Sequence, residues 1–481
     1  MIPDTFNLTL LFPEAVLGLI LVLALLGEIA TPKPRPTRFS FTTLTALGGV
    51  VLAFAALLPL AGRSEAAFDG LFILDPFATF FKALFALSAI AVIQMSREYF
   101  AAASAKSSEF YLTLLCTLIG LFVLVSANDF LLLFVALEIV TLSFYILTAY
   151  AKRSLMSIEA GLKYLIIGSL ASAFMIFGIS LLYFLVGSTS FPEIREVFTA
   201  IPKNKLLLLG VLMVFAGMGF KMAIVPFQFW VPDVYEGAPV PTVAFLSVAS
   251  KAAGFAILMR VFFTVFPALQ SGRIVLFSAL AFLTIAYGNL GALLQTNAKR
   301  LFGYSSIGHA GYLLIGAAVG TPESITASLF YLITYAVSTL AVFLILTVAG
   351  QKLQSDELVA YRGLGKRAPF LAGALFLALL SSAGVPPLAG FSGKFFVLLS
   401  AVRADLKLLV LFGALMVAVS LYYYLNFVRQ MYFEESTRTE TIEISWSSRL
   451  LIGILSAGIL LVGIWQAPFM GFAQNAARYL F

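Results

Sequence analysis

The sequence has little charge, one cysteine and one histidine, and each scarcity excludes a class of protein. Charged residues make up 11% of the 481 residues, whereas 61% are hydrophobic, a balance that soluble globular domains do not have. The single cysteine, Cys116, excludes an internal disulfide framework and any Cys-x-x-Cys metal or cluster motif. With His309 as the only histidine, neither a metal site nor a pair of haem ligands is expected. These features describe an integral membrane protein.

Motifs of soluble catalysis are also missing. The sequence has no glycine-rich phosphate loop, no dinucleotide fingerprint after a strand and no nucleophile motif paired with the histidine. The net charge of +7 comes without a block of like charge that could form a basic arm. Loops on the cytoplasmic side of a membrane account for it better than binding to nucleic acid does.

Apolar runs of about 20 residues, the length that crosses a bilayer, fill most of the chain. They predict an all-α integral membrane protein with about fourteen transmembrane helices and short connections. The first run lacks a basic leader and a small-residue cleavage site, so it is interpreted as a retained helix and not a signal peptide. The spans, numbered 1 to 14, are predicted near 13–30, 40–61, 76–96, 109–127, 129–150, 157–187, 205–237, 240–265, 272–296, 300–320, 324–349, 369–401, 406–432 and 449–474.

Basic residues are distributed unequally between the two sets of loops. About twice as many Lys and Arg residues fall on one side as on the other, and Lys33, Arg35, Arg38, Lys106 and Arg438 belong to the richer side. The positive-inside rule makes that side cytoplasmic. Both termini are therefore predicted to lie on the periplasmic side.

Spans 7 and 12 are predicted to be broken helices. In span 7 an apolar run carries Lys221, meets Pro226 and continues as a polar, proline-rich insert to Pro241. Span 12 contains Pro386 and Pro387 in its middle. Proline inside a helix costs ~3 kcal/mol, and within a bilayer broken backbone is tolerated only where protein or a water-filled cavity surrounds it. The two breaks therefore indicate a transport path.

The two broken spans are five spans apart, so they enter the membrane from opposite faces. This spacing predicts two inverted five-helix repeats, spans 4–8 and spans 9–13, an arrangement typical of transporters. The predicted organisation is a three-helix segment at 1–108, a first repeat at 109–268, a second repeat at 269–432 and a C-terminal span at 433–481.

Charged residues inside apolar runs are the candidate functional residues, because intramembrane charges are usually functional. They are Glu138, Lys82, Lys163, Lys221, Lys251, Arg260 and Lys394. A lone carboxylate at the depth of Glu138 should be neutral, hydrated or paired with Lys163 or Lys221. Burial favours the neutral amine of lysine, so a row of buried lysines can exchange protons near neutral pH. His309 can relay protons between Lys251 and Lys394.

Structural interpretations of the same residues remain open. Glu138 can form a fixed ion pair that locks helices, His309 can be a satisfied core histidine, and the lysines of spans 6 to 8 can extend to the interface. Lys82 and Arg260 are expected to extend to the interface in this way. Asp233 and Glu236 are expected to cap and orient the broken span 7.

Three segments carry a family resemblance. They are FWVPDVYEGAPVPTVAFLSVASKAAGFA (229–256), KRLFGYSSIGHAGYLLIG (299–316) and GVPPLAGFSGKF (384–395). The chain resembles the antiporter-like membrane subunits of NADH:quinone oxidoreductase, respiratory complex I, and in particular their N-type members. The likeness extends over essentially the whole chain and is most specific over 221–256.

The resemblance implies a subunit that moves protons across a bacterial inner membrane without a redox cofactor of its own. Positions that match the family's proton path are Glu138, Lys163, Lys221, Lys251, His309 and Lys394. FMN, iron–sulfur clusters and quinone are then expected on other subunits, and K-type and M-type membrane subunits are the expected neighbours. The alternatives are an Mrp-type cation/proton antiporter subunit and a purely structural membrane subunit.

Overall fold

The computed structural model describes residues 7–30, 40–103, 107–436 and 441–481. Lys33, Arg35, Arg38, Lys106 and Arg438, which entered the prediction of orientation, lie outside the described residues. Twelve helices in these ranges are long and apolar enough to cross a membrane. A further continuous helix, Ala298–Val319, and the broken span 12 complete the fourteen predicted spans. The prediction of an all-α membrane fold is confirmed.

The spans have the following bounds: Phe12–Ala30, Phe41–Leu57, Pro76–Ala103, Ser108–Ser126, Phe130–Thr148, Leu155–Val186, Lys205–Met222 with Trp230–Gly237, Val240–Val265, Gln270–Ala292, Ala298–Val319, Pro322–Leu353, Pro369–Ala383 with Ala389–Arg403, Lys407–Tyr432 and Trp446–Ile464.

Some boundaries differ from the prediction. Span 3 continues to Ala103, whereas span 14 ends at Ile464 instead of 474 and a separate helix, Ala467–Arg478, follows. Pro468, in the first turn of that helix, explains the early end, because a proline ring clashes with the carbonyl four residues before it. An additional short helix, Phe191–Ala200, lies between spans 6 and 7.

A small β-hairpin, not predicted from the sequence, precedes span 3. Its strands, β1 (Glu65–Ala67) and β2 (Phe72–Leu74), pair antiparallel. The hairpin is attached to the turn between spans 4 and 5, where the Asn128 side chain and main-chain N–H groups donate to the carbonyls of Gly70 and Leu71, both at 2.9 Å. It thus connects the chain before span 3 to the turn after span 4.

The two breaks share one backbone geometry. In span 7, Ala223 has a φ of 60° and the Val225–Pro226 peptide is cis. In span 12, Gly384 has a φ of 93° and the Pro386–Pro387 peptide is cis. Each left-handed residue ends the first half of its span, and the cis proline follows three positions later. The two breaks are therefore equivalent elements.

Other landmarks repeat in the same order. Spans 6 and 11 each have 32 residues and end at a left-handed residue, Gly187 and Gln354 respectively. Asp129, which caps span 5, forms a β-bridge with the chain that follows span 6, and Asn297, which caps span 10, does so with the chain after span 11. Spans 4–8 and 9–13 are thus built from matching local structure, while the boundaries at 108, 268 and 432 stay a prediction.

Candidate functional site: a row of buried charged residues

Lys221 is the last lysine of the first half of span 7 and is 3% exposed. The backbone groups released by the break find partners nearby. The indole of Trp230 donates to the Phe220 carbonyl at 3.2 Å, and the N–H of Val225 donates to the Thr284 hydroxyl at 3.1 Å. The ammonium of Lys221 has no hydrogen-bond partner among the described residues and lies 5.7 Å from the ring of Tyr164. A buried ammonium in this position requires water or an anion.

Glu138 is partly buried on span 5, and its carboxylate accepts a 2.5 Å hydrogen bond from Ser172 on span 6. Of the alternatives for Glu138, the ion pair with Lys163 or Lys221 is not formed: within the described residues no ammonium or guanidinium group lies within 4.0 Å of this carboxylate. A hydroxyl carries no formal charge, so this hydrogen bond compensates a carboxylate only in part.

Lys163 has a different set of partners from those predicted. Its ammonium lies 2.7 Å from Asp233 and 2.8 Å from Glu159. Arg300 of span 10 binds the other oxygen of Asp233 and also Glu236, both at 2.7 Å. These five side chains form what we call the five-charge network, which joins span 6, the second half of span 7 and span 10. Asp233 and Glu236 do not cap the half-helix Trp230–Gly237, which begins without a side-chain cap hydrogen bond. They bind basic side chains of spans 6 and 10 instead, and the expected role in orienting the half-helix stays a prediction.

The five-charge network lines an open cavity of about 210 Å³. The Lys163 side chain is 43% exposed there. The cavity lies on the side where spans 6 and 10 begin, the predicted cytoplasmic side. Water therefore has access to this lysine, whereas Lys221, Lys251 and Lys394 are buried.

Lys251 begins a regular α-helical segment in the middle of span 8. The segment Lys251–Arg260 is flanked by two π-helical turns, Leu246–Ser250 and Val261–Val265. Such turns are frequent at functional sites. The Lys251 ammonium donates to the Ser306 carbonyl and lies 5.8 Å from the ring of Tyr335.

His309 lies between hydroxyl groups of two other spans. Its Nδ1 is 2.6 Å from the Tyr331 hydroxyl on span 11, and its Nε2 is 3.4 Å from the Tyr424 hydroxyl on span 13. The Tyr424 hydroxyl is in turn 2.5 Å from that of Ser305. A cavity of about 10 Å³, roughly the space that one water needs, adjoins the imidazole. Both ring nitrogens are thus in contact with groups that can donate and accept protons.

Lys394 uses the break in its own span. Its ammonium donates to the carbonyls of Ser382 and Ala383 at 2.8 and 3.0 Å, two acceptors at the end of the first half-helix. Gly384 allows this approach, since a Cβ there would lie 3.1 Å from Cδ of Lys394.

The cavity beside His309 is also lined by residues that bind two of the predicted lysines. Ser306, which accepts from Lys251, and Ser382, which accepts from Lys394, both line the His309 cavity. Tyr331 and Tyr424 were missed in the sequence. A stripe of polar residues at helical spacing on span 11 was the available signal: Tyr331, Thr334, Tyr335 and Ser338.

The prediction that Lys82 and Arg260 extend to the interface is wrong. The Lys82 side chain is fully buried with its ammonium 2.6 Å from Glu14. The Arg260 guanidinium forms two 2.9 Å hydrogen bonds with Asp75, and both side chains are 5% exposed. The sequence concealed these pairs because Glu14 and Asp75 stand at helix starts, where acidic residues are common without any buried partner.

Known proteins with similar sequences and structures share this architecture. Residues 127–420 match the family described as NADH:quinone oxidoreductase/Mrp antiporter, transmembrane. NADH-quinone oxidoreductase subunit N of Desulforamulus reducens is 37% identical over 474 residues, covering 98% of each chain. A chain of respiratory complex I from Thermus thermophilus is 32% identical with a TM-score of 0.81, covering 96% of this chain and 99% of its own. A chain of the Mrp complex from Dietzia is 19% identical with a TM-score of 0.88 over 99% and 98%, and shares the fold.

The chain belongs to the family of antiporter-like membrane subunits found in NADH:quinone oxidoreductases and Mrp antiporters. Its sequence is 35–37% identical to curated subunits N over 98–99% of the chain, which assigns it, within that family, to subunit N of NADH-quinone oxidoreductase. It is therefore one membrane subunit of a proton-translocating enzyme complex, and other subunits of that complex are its partners.

Proposed function

We propose that this chain moves protons across the membrane along Glu138, Lys163, Lys221, Lys251, His309 and Lys394, without a redox cofactor of its own. NADH oxidation and quinone reduction then belong to other subunits that carry FMN and iron–sulfur clusters. The membrane is a bacterial inner membrane, both termini face the periplasm, and K-type and M-type subunits are the membrane neighbours.

One observation carries the proposal. Two buried lysines from the two repeats, Lys251 and Lys394, are each held by main-chain carbonyls of residues that line the cavity of His309. A carbonyl stabilises an ammonium ion but does not neutralise it, so neither lysine is locked in the charged state by an acidic partner. A lysine held in this way can lose and regain a proton, which a lysine in a buried ion pair does at much greater cost.

The remaining residues support a direction of transfer. The 210 Å³ cavity at Lys163 offers protons access from the predicted cytoplasmic side. Lys221 lies deeper, at the break in span 7, and its ammonium has no hydrogen-bond partner in the part of the chain that the structure describes. From there protons pass to Lys251, to His309 with its tyrosine hydroxyls, and to Lys394 and the opposite side. Glu138, which accepts a hydrogen bond from Ser172, is the gate that neighbouring subunits bias.

The test uses the whole complex, reconstituted in vesicles, with Lys251→Met, Lys394→Met or Lys221→Ala in this subunit. We expect each variant to assemble, to oxidise NADH normally with a soluble artificial acceptor, and to move fewer protons per NADH when quinone is the acceptor. Lys407→Met is the control, because that lysine is 80% exposed and lies outside the path.

Unchanged proton transport in the assembled variants would show that the lysines serve packing alone. The same vesicles test the Mrp-type alternative, which the shared fold suggests. Proton movement driven by a Na⁺ or K⁺ gradient in the absence of NADH would favour cation/proton exchange.

A further inference from the structure

Four buried charged residues outside the proposed path surround the first turns of span 3. They form two pairs, Glu14 with Lys82 and Asp75 with Arg260, and we call them the span 3 charge cluster. Buried ion pairs add little net stability, because loss of hydration opposes their attraction, and their best-attested role is to fix the register of packed elements. Each pair is therefore expected to hold one packed element in place.

The Asp75–Arg260 pair joins span 3 to span 8. Asp75 is itself fixed, because one of its oxygens accepts a 2.7 Å hydrogen bond from the N–H of Ala78 in the first turn of span 3. The guanidinium of Arg260 binds both oxygens of this carboxylate at 2.9 Å. A forked contact of this kind restricts the orientation of both side chains as well as their distance.

Arg260 and Lys251 are the two ends of the same helical segment. At ~1.5 Å rise and ~100° rotation per residue, they lie roughly 13 Å apart along the axis and on opposite faces. One end contacts span 10 through the Ser306 carbonyl, and the other contacts span 3 through Asp75. The segment is thus held from two sides.

The turns on either side of this segment leave its rotation dependent on those contacts. Both flanking turns are π-helical, and a π-turn marks a place where one residue more than the regular number is accommodated. A shift of one residue through such a turn rotates the segment by ~100°. That rotation would take the Lys251 ammonium away from Ser306 and from the His309 cavity.

We propose that Asp75 and Arg260 are positioning residues that hold Lys251 at the His309 cavity by fixing the rotation of span 8. Through this pair the N-terminal three-helix segment, which lies outside the two repeats, determines the geometry of the path within them. The inference rests on the proposed function, because it takes Lys251 to be a proton carrier.

The test compares Asp75→Asn, Arg260→Lys and the double variant Asp75→Leu/Arg260→Met in the assembled complex. Asparagine keeps the oxygen that accepts from the Ala78 N–H but removes the negative charge. Lysine keeps the positive charge but cannot form the two parallel hydrogen bonds of the guanidinium. The double variant replaces the pair with apolar side chains that need no hydration. We expect Asp75→Asn and the double variant to lower the protons moved per NADH as much as Lys251→Met does. Arg260→Lys should retain more than they do.

The matched control is the double variant Glu14→Gln/Lys82→Met, which removes the other buried pair of the cluster. That pair ties span 1 to span 3 and, within the described residues, forms no ion pair or hydrogen bond with span 8, so proton stoichiometry should stay normal. A map of the Asp75→Asn complex should show Lys251 displaced from the Ser306 carbonyl, a change that a merely stabilising pair would not produce.

Three results would overturn the inference. The first is normal stoichiometry in Asp75→Asn and the apolar double variant while Lys251→Met is impaired. The second is failure of the apolar double variant to assemble, since the pair would then be needed for folding and not for position. The third is equal loss in the Glu14/Lys82 control. Normal stoichiometry in Lys251→Met would instead contradict the proposed function itself.

Discussion

The carboxylate of Asp233 lies 2.7 Å from the ammonium of Lys163. From the sequence, this lysine is one of two candidate partners of Glu138. The contact connects the second half of the broken span 7 to span 6 at an open cavity. Lys163 has a long, flexible side chain and is 43% exposed, so it can exchange partners at low cost. On the proposed path, we therefore expect Asp233 to influence when Lys163 passes a proton to the deeper residues.

Asp233→Asn tests this influence. Removal of the charge weakens the hold on Lys163, while Glu159 still binds it at 2.8 Å. Partly exposed ion pairs contribute ~1 kcal/mol or less, so stability should change little. We expect the initial rate of proton transport to change by up to about fivefold, the equivalent of that energy, measured as the proton flux of vesicles that contain the complex.

The matched control is Glu236→Gln. It removes one acidic partner of Arg300 but leaves both partners of Lys163 in place. Proton flux should equal that of the unmodified complex. Equal effects of the two variants would mean that the network acts through its total charge and that Lys163 has no special part in it.

Tyr331→Phe tests the connection of His309 to span 11. The substitution keeps the ring but removes the hydroxyl that lies 2.6 Å from Nδ1. A buried polar atom left without a partner costs ~1–3 kcal/mol, and one proton-exchanging neighbour of the imidazole is lost. We expect a lower thermal unfolding temperature of the complex and fewer protons per NADH.

Tyr335→Phe is the corresponding control. Tyr335 lies one helical turn further along span 11, and its hydroxyl has no hydrogen-bond partner among the described residues. Its ring, which faces both His309 and Lys251, is preserved by phenylalanine. Stability and stoichiometry should both stay near those of the unmodified complex. Loss in both variants would indicate that ring packing, and not the hydroxyl of Tyr331, matters at this cavity.

The breaks could be predicted from local sequence signals, but which charged side chains pair with each other depends on tertiary structure. Pro226 and Pro386 disturb a helix whatever surrounds them, so the broken spans could be located from the sequence. Lys163 had several acidic residues within reach, and the choice of Asp233 depends on where the second half of span 7 lies. The burial of Lys82 and Arg260 depends on contacts between segments far apart in sequence, which composition and periodicity do not reveal.

Substitutions of the two left-handed residues at the breaks are predicted to change the stability in opposite directions. Gly384 has a φ of 93° and Ala223 has a φ of 60°, and a residue with a Cβ loses ~1–2 kcal/mol in the left-handed region. Gly384→Ala should therefore destabilise the protein by about that amount, whereas Ala223→Gly should be neutral or stabilising by up to ~1 kcal/mol. Thermal unfolding of the purified protein in detergent measures both changes.

Gly384→Ala should also affect proton transport, because the added Cβ would lie 3.1 Å from Cδ of Lys394 and shift that side chain relative to the Ser382 and Ala383 carbonyls. Ala223→Gly removes a methyl group and displaces nothing, so transport should be unchanged. If Gly384→Ala lowered stability but left the protons moved per NADH intact, the contact of Lys394 with the end of the first half-helix would be structural, and the path through span 12 would have to be assigned to other residues.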